Sequence, residues 1–233
     1  MLTTVFTRPK KWKIFISRLA NELDNIGISS LPIVGLMSTF IGGVIALQTA
    51  SSMSNPLLPK YTVGYITQSS TILEFSPTII SLILAGKVGS NIASEVGTMR
   101  VTEQIDALEV MGVNSLNYLV FPKIIALLLY PFVIGLSMFL GVFGGYLAAV
   151  YGGFSSSNEF VNGLQVDFIP FHIAYAFIKT FVFAIILATI PSFHGFYMKG
   201  GALEVGKAST TAFVWTSVMI ILLNYVLTQM LLS

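Results

Sequence analysis

The chain has 233 residues, of which 55% are hydrophobic and only 9% are charged, and its formal net charge is +2. Soluble domains carry about 25% charged residues, so this composition excludes an ordinary soluble enzyme and indicates an integral membrane protein. The small net charge gives no reason to invoke nucleic acid, and the lack of cysteine excludes disulfides, iron–sulfur clusters and thiolate metal sites.

The first predicted element is an amphipathic helix over residues 10–28. Apolar and aromatic side chains recur in it at helical spacing, and the basic residues around them are Lys10, Lys11, Lys13 and Arg18. The apolar stripe consists of Trp12, Phe15, Ile16, Leu19, Leu23 and Ile26. Lysine and arginine can reach lipid head groups while their aliphatic stems stay on apolar surface. We therefore expect this helix to lie in the membrane interface, in preference to a disordered basic tail.

Five apolar stretches follow, each long enough to cross about 30 Å of hydrocarbon at about 1.5 Å per residue. Their approximate bounds are 31–53, 63–89, 118–151, 168–193 and 210–232. The third is the longest and contains Pro122 and Pro131, so we expect it either to be kinked or to extend beyond the bilayer. The sequence thus predicts an all-α integral membrane protein, formed by residues 1–233 as one domain, with an interfacial helix and five transmembrane helices.

Lysine and arginine predict the orientation of these spans. They cluster before the first span and in the connections after the second and fourth spans, whereas only Lys60 lies in a connection on the other side. Connections rich in lysine and arginine stay in the cytoplasm. We therefore expect a cytoplasmic N-terminus and a C-terminus on the outer face.

Small residues repeat every four positions in the first and third spans, a pattern that allows helices to approach closely. In the first span they are Ser38, Gly42, Ala46 and Ala50. In the third they are Gly141, Gly145 and Ala149, with Gly144, Ala148 and Gly152 beside them. The pattern predicts a tightly packed bundle and leaves open whether the same faces meet a second copy of the chain.

The connection after the second span, residues 90–117, carries much of the charge of the chain. Read as a helix, it places Val101, Ile105 and Leu108 on one face and Glu103, Asp106 and Glu109 on another. Thr102 is placed to cap the start of this helix and Gly112 to end it. An acidic amphipathic helix suits the docking of a soluble partner, although a solvated loop that only connects two spans fits the charge pattern equally well.

Two ionisable residues lie near the middle of predicted spans, where a charge is costly and usually functional. Glu74 is in the second span, three residues before Pro77, and Lys179 is in the fourth. Their opposite charges and comparable depth predict either an ion pair or separate positions on a water-filled cavity.

The stretch from Gly86 to Gly112, with its core Glu-Val-Gly-Thr-Met-Arg-Val-Thr-Glu-Gln-Ile-Asp-Ala-Leu-Glu-Val-Met-Gly, resembles the signature of the MlaE/YrbE-type ABC-transporter permeases. Residues 201–214 resemble the second signature of that family, usually Gly-Ala-x-Gly-Val-Gly-x-Ala-Thr-Thr-x-Ala-Val-Val, from which Glu204 and Phe213 depart. Residues 73–77 read Leu-Glu-Phe-Ser-Pro where the family typically shows Arg-Glu-Leu-Gly-Pro. Lys179 falls where relatives commonly carry lysine.

The resemblance implies a permease subunit in the bacterial inner membrane that moves phospholipid, or a related lipid, between that membrane and a periplasmic carrier of the MCE class. It implies a second copy of the chain and a dimeric cytoplasmic ATPase that binds ATP, so that this chain is not an enzyme and holds no cofactor. The residues expected to couple to the ATPase are Glu95, Arg100, Val101, Glu103, Ile105, Asp106 and Leu108. Those expected in the transport cavity are Glu74, Pro77 and Lys179.

Two other functions remain open from the residues alone. A stand-alone lipid carrier or channel, driven by an ion gradient, would use Glu74 and Lys179 as a relay, and internal repeats would favour it, but we find none. The other is a membrane anchor that transports nothing.

A nucleotide site and a metal site are both excluded by the pattern. Residues 201–207 match the start of a phosphate-binding loop, yet Ala208 stands where that loop needs serine or threonine for Mg²⁺, and membrane spans flank the stretch. His172 and His194 are far apart in sequence with no nearby ligand partner. We recognise no catalytic constellation.

Overall fold

The structure is a computed structural model that describes residues 12–53, 59–166 and 168–232, and every regular element in these ranges is helical. The helices are α1 (Trp12–Glu22), α2 (Leu31–Ser52), α3 (Thr62–Ser70), α4 (Ile80–Leu84), α5 (Ser90–Val101), α6 (Gln104–Val110), α7 (Ser115–Leu127), α8 (Tyr130–Tyr151), α9 (Ser157–Gln165), α10 (Phe171–Phe196) and α11 (Ala202–Leu232). The wider turns that join some of them are the π-helical segments Leu23–Gly27, Thr71–Ile79 and Ala85–Gly89 and the 3₁₀ turn Ile28–Ser30.

Five helical stretches in the described ranges are long and apolar enough to cross a membrane, as the sequence predicted. They are Phe15–Ser52, Thr62–Val101, Ser115–Tyr151, Phe171–Phe196 and Ala202–Leu232. The prediction of an all-α protein with five spans is therefore confirmed, and the chain is a multi-pass membrane protein.

The helix of the first span runs from Leu31 to Ser52, close to the predicted bounds of 31–53, although no non-helical segment separates it from α1. From α1 the chain passes through one π turn and one 3₁₀ turn straight into α2, so the helical path is unbroken from Trp12 to Ser52. Pro32 does not interrupt it, because the first turn of a helix has no internal partner for the missing N–H. The predicted start at residue 10 lies outside the described residues.

The kink predicted in the third span is confirmed as a short break between α7 and α8. Leu128 and Leu129 form a turn there, in which the Leu128 N–H donates to the carbonyls of both Ile124 and Ile125. Pro131 follows in the first turn of α8, where its missing N–H costs no helical hydrogen bond.

The described residues form two compact units, each assembled from separate parts of the chain. The first unit takes the described parts of Met1–Ser30, Ser81–Tyr130 and Phe181–Ser233, and the second takes those of Leu31–Ile80 and Pro131–Thr180. The assignment of residues 1–233 to a single domain stays a prediction.

The core of the second unit is a contact between the small residues of α2 and α8. A Cβ atom on Gly42 would overlap the carbonyl of Gly141, and one on Gly144 would overlap the backbone of Thr39. The Ser38 hydroxyl donates to Ser137 Oγ at 2.8 Å beside this contact. The predicted tight bundle is thus confirmed, and these small-residue faces are occupied within one chain, so they are not free to form a seam with a second copy.

Helix α9 closes the second unit at the connection before α10. The Ser156 hydroxyl accepts from the Glu159 N–H at 3.2 Å, and the Glu159 carboxylate accepts from the Ser156 N–H at 2.7 Å. These bonds from Ser156 to the ionised form lower the pKa of Glu159. The capped helix buries Phe160 against Val63 and Ala149.

Candidate functional site: the buried ion pairs and the coupling region

A π-helical turn, Thr71–Ile79, positions Glu74 in the second span. Pro77 lies inside this turn and has no N–H to continue an α-helical ladder, so the backbone widens locally. Pro77 is buried and shapes the turn, whereas the Glu74 side chain is 40% exposed.

Glu74 and Lys179 form an ion pair, which decides between the two arrangements that the sequence allowed. Lys179 Nζ lies 2.8 Å from Glu74 Oε1, and its side chain is fully buried. Further contacts hold the pair. The Tyr175 hydroxyl donates to Glu74 Oε1 at 3.3 Å and Thr78 Oγ1 donates to Glu74 Oε2 at 3.3 Å, while Lys179 Nζ donates to the Leu73 carbonyl at 3.4 Å and lies 4.3 Å from the centre of the Tyr175 ring. The ammonium is thus enclosed, while the carboxylate side chain stays partly exposed.

The coupling region departs from its predicted form at its start. Thr102 was expected to cap a new helix, but it follows the last residue of α5 and its hydroxyl donates to the Thr98 carbonyl at 2.9 Å. Glu103 then adopts φ +57°, a left-handed conformation that turns the chain before α6 begins. Gly112 ends the segment as predicted, with φ +69°.

An exposed ion pair closes this turn. Arg100 at the end of α5 reaches Asp106 in α6, with the guanidinium Nη1 2.7 Å from the carboxylate Oδ1. Both side chains remain partly exposed, so the pair holds the angle between α5 and α6 more than it adds to stability. The structure therefore brings together two of the predicted coupling residues.

The predicted apolar ridge fails at Ile105, whereas its other members, Val101 and Leu108, are half-buried. Ile105 is fully buried against its own chain, because α6 is short and packs one face inward. The apolar side chains that α6 and its end expose are instead Val110, 89% exposed, and Met111, 68% exposed. Helical periodicity identified the amphipathic pattern but assigned its apolar face to the partner instead of to this chain.

Lys123 is the residue that sequence reasoning missed. It lies in α7, its side chain is 1% exposed, and its ammonium contacts Glu22 Oε1 at 2.5 Å and Glu95 Oε2 at 2.6 Å. Glu95 was predicted to belong to the coupling set with Arg100 and Asp106. Its ion-pair partner is instead the buried Lys123. One signal was available in the sequence, because Lys123 follows Pro122 inside an apolar run.

Two aromatic contacts join α1 to α7 beside this cluster. The Arg18 guanidinium carbon lies 3.8 Å from the centre of the Tyr118 ring, and the rings of Phe15 and Phe121 lie 5.4 Å apart. Arg18 was expected to reach lipid head groups, but it stacks on the chain itself. Helix α1 is thus part of the first unit and is held to α7 by charge and by packing.

Within residues 12–53, 59–166 and 168–232 no three histidine or acidic side chains gather as a metal site requires.

Comparison with known proteins identifies similar chains. Residues 19–230 match the profile of a family described as Permease MlaE. A probable ABC transporter permease protein of Rickettsia bellii is 36% identical over 218 residues, which cover 93% of this chain and 84% of that protein. One of Synechocystis sp. is 32% identical over 211 residues, covering 90% and 80%. The chloroplastic protein TRIGALACTOSYLDIACYLGLYCEROL 1 of Arabidopsis thaliana is 34% identical over 228 residues, covering 97% and 64%.

Proposed function

Because the chain belongs to the MlaE family of ABC-transporter permeases, we propose that it is the membrane subunit of an ATP-driven lipid transporter in the bacterial inner membrane. Phospholipid is the proposed substrate, exchanged with a periplasmic carrier of the MCE class. Two copies of the chain and a separate dimeric ATPase complete the assembly, and ATP binds only to the ATPase. The family match over residues 19–230 is the observation that carries this proposal.

The lipid assignment has two supports. The plant relative is named after a glycerolipid, trigalactosyldiacylglycerol. In this chain, Lys179 is fully buried and paired with Glu74 between two apolar spans. A charged pair whose carboxylate is partly exposed suits the polar end of a lipid, while the surrounding apolar helices suit its tails.

The proposed mechanism is alternating access driven from the cytoplasmic side. Closure of the ATPase dimer displaces α6, and the Arg100–Asp106 pair passes this displacement to α5, the end of the second span. Glu103 and Asp106 offer charge to the ATPase, and Val110 and Met111 offer apolar contact. The buried Ile105, with Val101 and Leu108 beside it, holds α6 against the rest of the chain. Glu95 extends the transmission of this displacement from α5 to α7 through its ion pair with Lys123.

Reversing the charges at Glu103 and Asp106 together should release the ATPase while leaving the permease in the membrane. Glu103→Lys alone should give part of this loss, and it is the cleaner test because Glu103 makes no ion pair among the described residues. The measurement is co-purification of the ATPase and lipid-stimulated ATP turnover. Asp24→Lys, at another exposed acid, is the matched control. Full ATP turnover in the Glu103, Asp106 double variant would contradict the docking role.

Single cysteines test the proposed orientation, because the chain has no background cysteine. A cysteine at exposed Asn158 should react with a membrane-impermeant thiol reagent added outside. One at Met111, which is 68% exposed, should stay protected until the membrane is opened. The opposite labelling pattern would invert the proposed topology. Met111 is preferred to Ser115 as the position for the cytoplasmic cysteine, because Ser115 is buried and donates a hydrogen bond to Glu109.

The rival function, a carrier or channel driven by an ion gradient, would depend on the same Glu74–Lys179 pair. Lipid transfer in reconstituted vesicles separates the two. Transfer that needs ATP and the ATPase, and that continues when ionophores collapse the gradients, supports the proposal. Transfer by the permease alone in response to an imposed gradient supports the rival.

A further inference from the structure

A second group of charged side chains lies where α10 turns into α11. It surrounds a cavity of ≈ 290 Å³ in the first unit, whose aromatic and charged walls are Phe193, His194, Tyr197, Lys199, Glu204 and Lys207. None of these residues belongs to the Glu74–Lys179 pair or to the coupling region.

The turn that builds this cavity depends on glycine. Gly200 has φ +123°, which side-chain-bearing residues rarely adopt, and a Cβ atom there would lie 2.7 Å from Glu204 Cγ. The Glu204 N–H donates to the Gly201 carbonyl at 3.0 Å, which starts α11 beneath the end of α10. Glu204 and Lys207 are thereby held on one wall of the cavity.

The charges of the cavity are two ammonium groups and one carboxylate. Lys207 Nζ lies 2.7 Å from Glu204 Oε1, so the lysine is positioned and the second carboxylate oxygen is left to accept another donor. Lys199 is exposed and forms no ion pair within the part of the chain that the structure describes. The cavity therefore offers two groups to a ligand: the unpaired ammonium of Lys199 and the second carboxylate oxygen of Glu204.

A phosphoethanolamine group complements this arrangement, because it carries one phosphate anion and one ammonium cation. We infer that the cavity binds the head group of a zwitterionic aminophospholipid, with Lys199 and Lys207 on the phosphate and Glu204 on the ammonium. The volume is at the small end for ligand pockets, so it suits a head group and not a whole lipid. Phe193 and Tyr197, about half exposed and with ring centres 4.9 Å apart, form an apolar border for the acyl chains.

The selectivity in this site comes from Glu204. Without it the cavity would favour an anionic head group over a zwitterionic one. The inference concerns binding only, and it goes beyond the transport proposal because it holds whether or not the bound lipid is carried across the membrane.

The test is lipid binding by the purified full-length permease, measured by native mass spectrometry during titration with phosphatidylethanolamine or phosphatidylglycerol. Wild type should retain phosphatidylethanolamine in preference. Lys199→Met should weaken binding of both lipids by about tenfold, the value of one charge-assisted hydrogen bond. Glu204→Gln should weaken only phosphatidylethanolamine and abolish the preference. Lys60→Met, at an exposed lysine outside the cavity, is the control and should change neither.

Three results would overturn the inference: no preference between the lipids in wild type, unchanged binding in Lys199→Met, or a preference that survives in Glu204→Gln. Lys199 is exposed, so its replacement should not unfold the chain, and a thermal melt checks this. Soluble phosphoethanolamine should compete only weakly. Competition at concentrations equal to the lipid would assign the cavity to a soluble phosphate ester instead. Lipid transfer is measured separately, so a failure of this site and a failure of the transport function are distinguishable.

Discussion

Replacing Lys123 with methionine should lower the free energy of unfolding by about 3–5 kcal/mol, because it leaves two carboxylates facing each other without their shared cation. Lys123 is 1% exposed and contacts Glu22 and Glu95 at 2.5 and 2.6 Å. Methionine keeps most of the volume and the apolar stem, so the loss measures the charge rather than a cavity.

The matched control removes all three charges at once. Glu22→Gln and Glu95→Gln combined with Lys123→Met should recover most of the stability, since a buried ion cluster replaced as a whole is often close to neutral. The measurement is the thermal melt of the full-length permease, followed by tryptophan fluorescence. If Lys123→Met melts like wild type, or if the triple variant is less stable than the single one, the cluster does not hold α1, α5 and α7 together.

Removing one partner of the Glu74–Lys179 pair should damage the protein more than removing both. Glu74→Gln leaves the fully buried ammonium of Lys179 unpaired, at a cost of about 3–5 kcal/mol. Glu74→Gln with Lys179→Met removes that uncompensated charge. Lipid transfer in reconstituted vesicles and the melting temperature should therefore be lower in the Glu74→Gln single variant than in the double variant.

Tyr175→Phe provides the control for this cycle. It removes only the hydroxyl that donates to Glu74 at 3.3 Å and keeps the ring that faces Lys179, so a small loss is expected. Losses that add in the double variant would mean that the two residues act independently. If Glu74→Gln and Lys179→Met each transfer lipid as wild type does, the pair is not part of the transport path.

The five spans were predictable because each needs only length and apolar composition, properties that neighbouring residues share. The Glu74–Lys179 pair was predictable as one of two alternatives, since both charges stand out against apolar surroundings. The turn at Glu103 was not, because a left-handed backbone conformation at a glutamate leaves no trace in hydrophobic periodicity.

The Lys123 cluster was hidden for a different reason. Its ion pairs join positions that are 101 and 28 residues apart, and each partner has an ordinary local explanation. Glu22 lies beside an amphipathic stripe, Glu95 lies in a charged connection, and Lys123 lies near a predicted span end. Only packing shows that α1, α5 and α7 meet at this point.

The contact between α2 and α8 has a consequence for the entropy of the second unit. Gly42, Gly141 and Gly144 have no side-chain rotamers to freeze, so their backbones meet without the loss of freedom that a leucine or methionine contact would incur. Lipid tails are as apolar as the helices, so the hydrophobic effect adds little to helix association in a membrane. Avoiding a loss of side-chain entropy therefore matters more here than it would in water. A joint of this kind has no adjustable side chains with which to slide or re-pack. Whatever movement accompanies transport, α2 and α8 should take part in it as a single rigid piece.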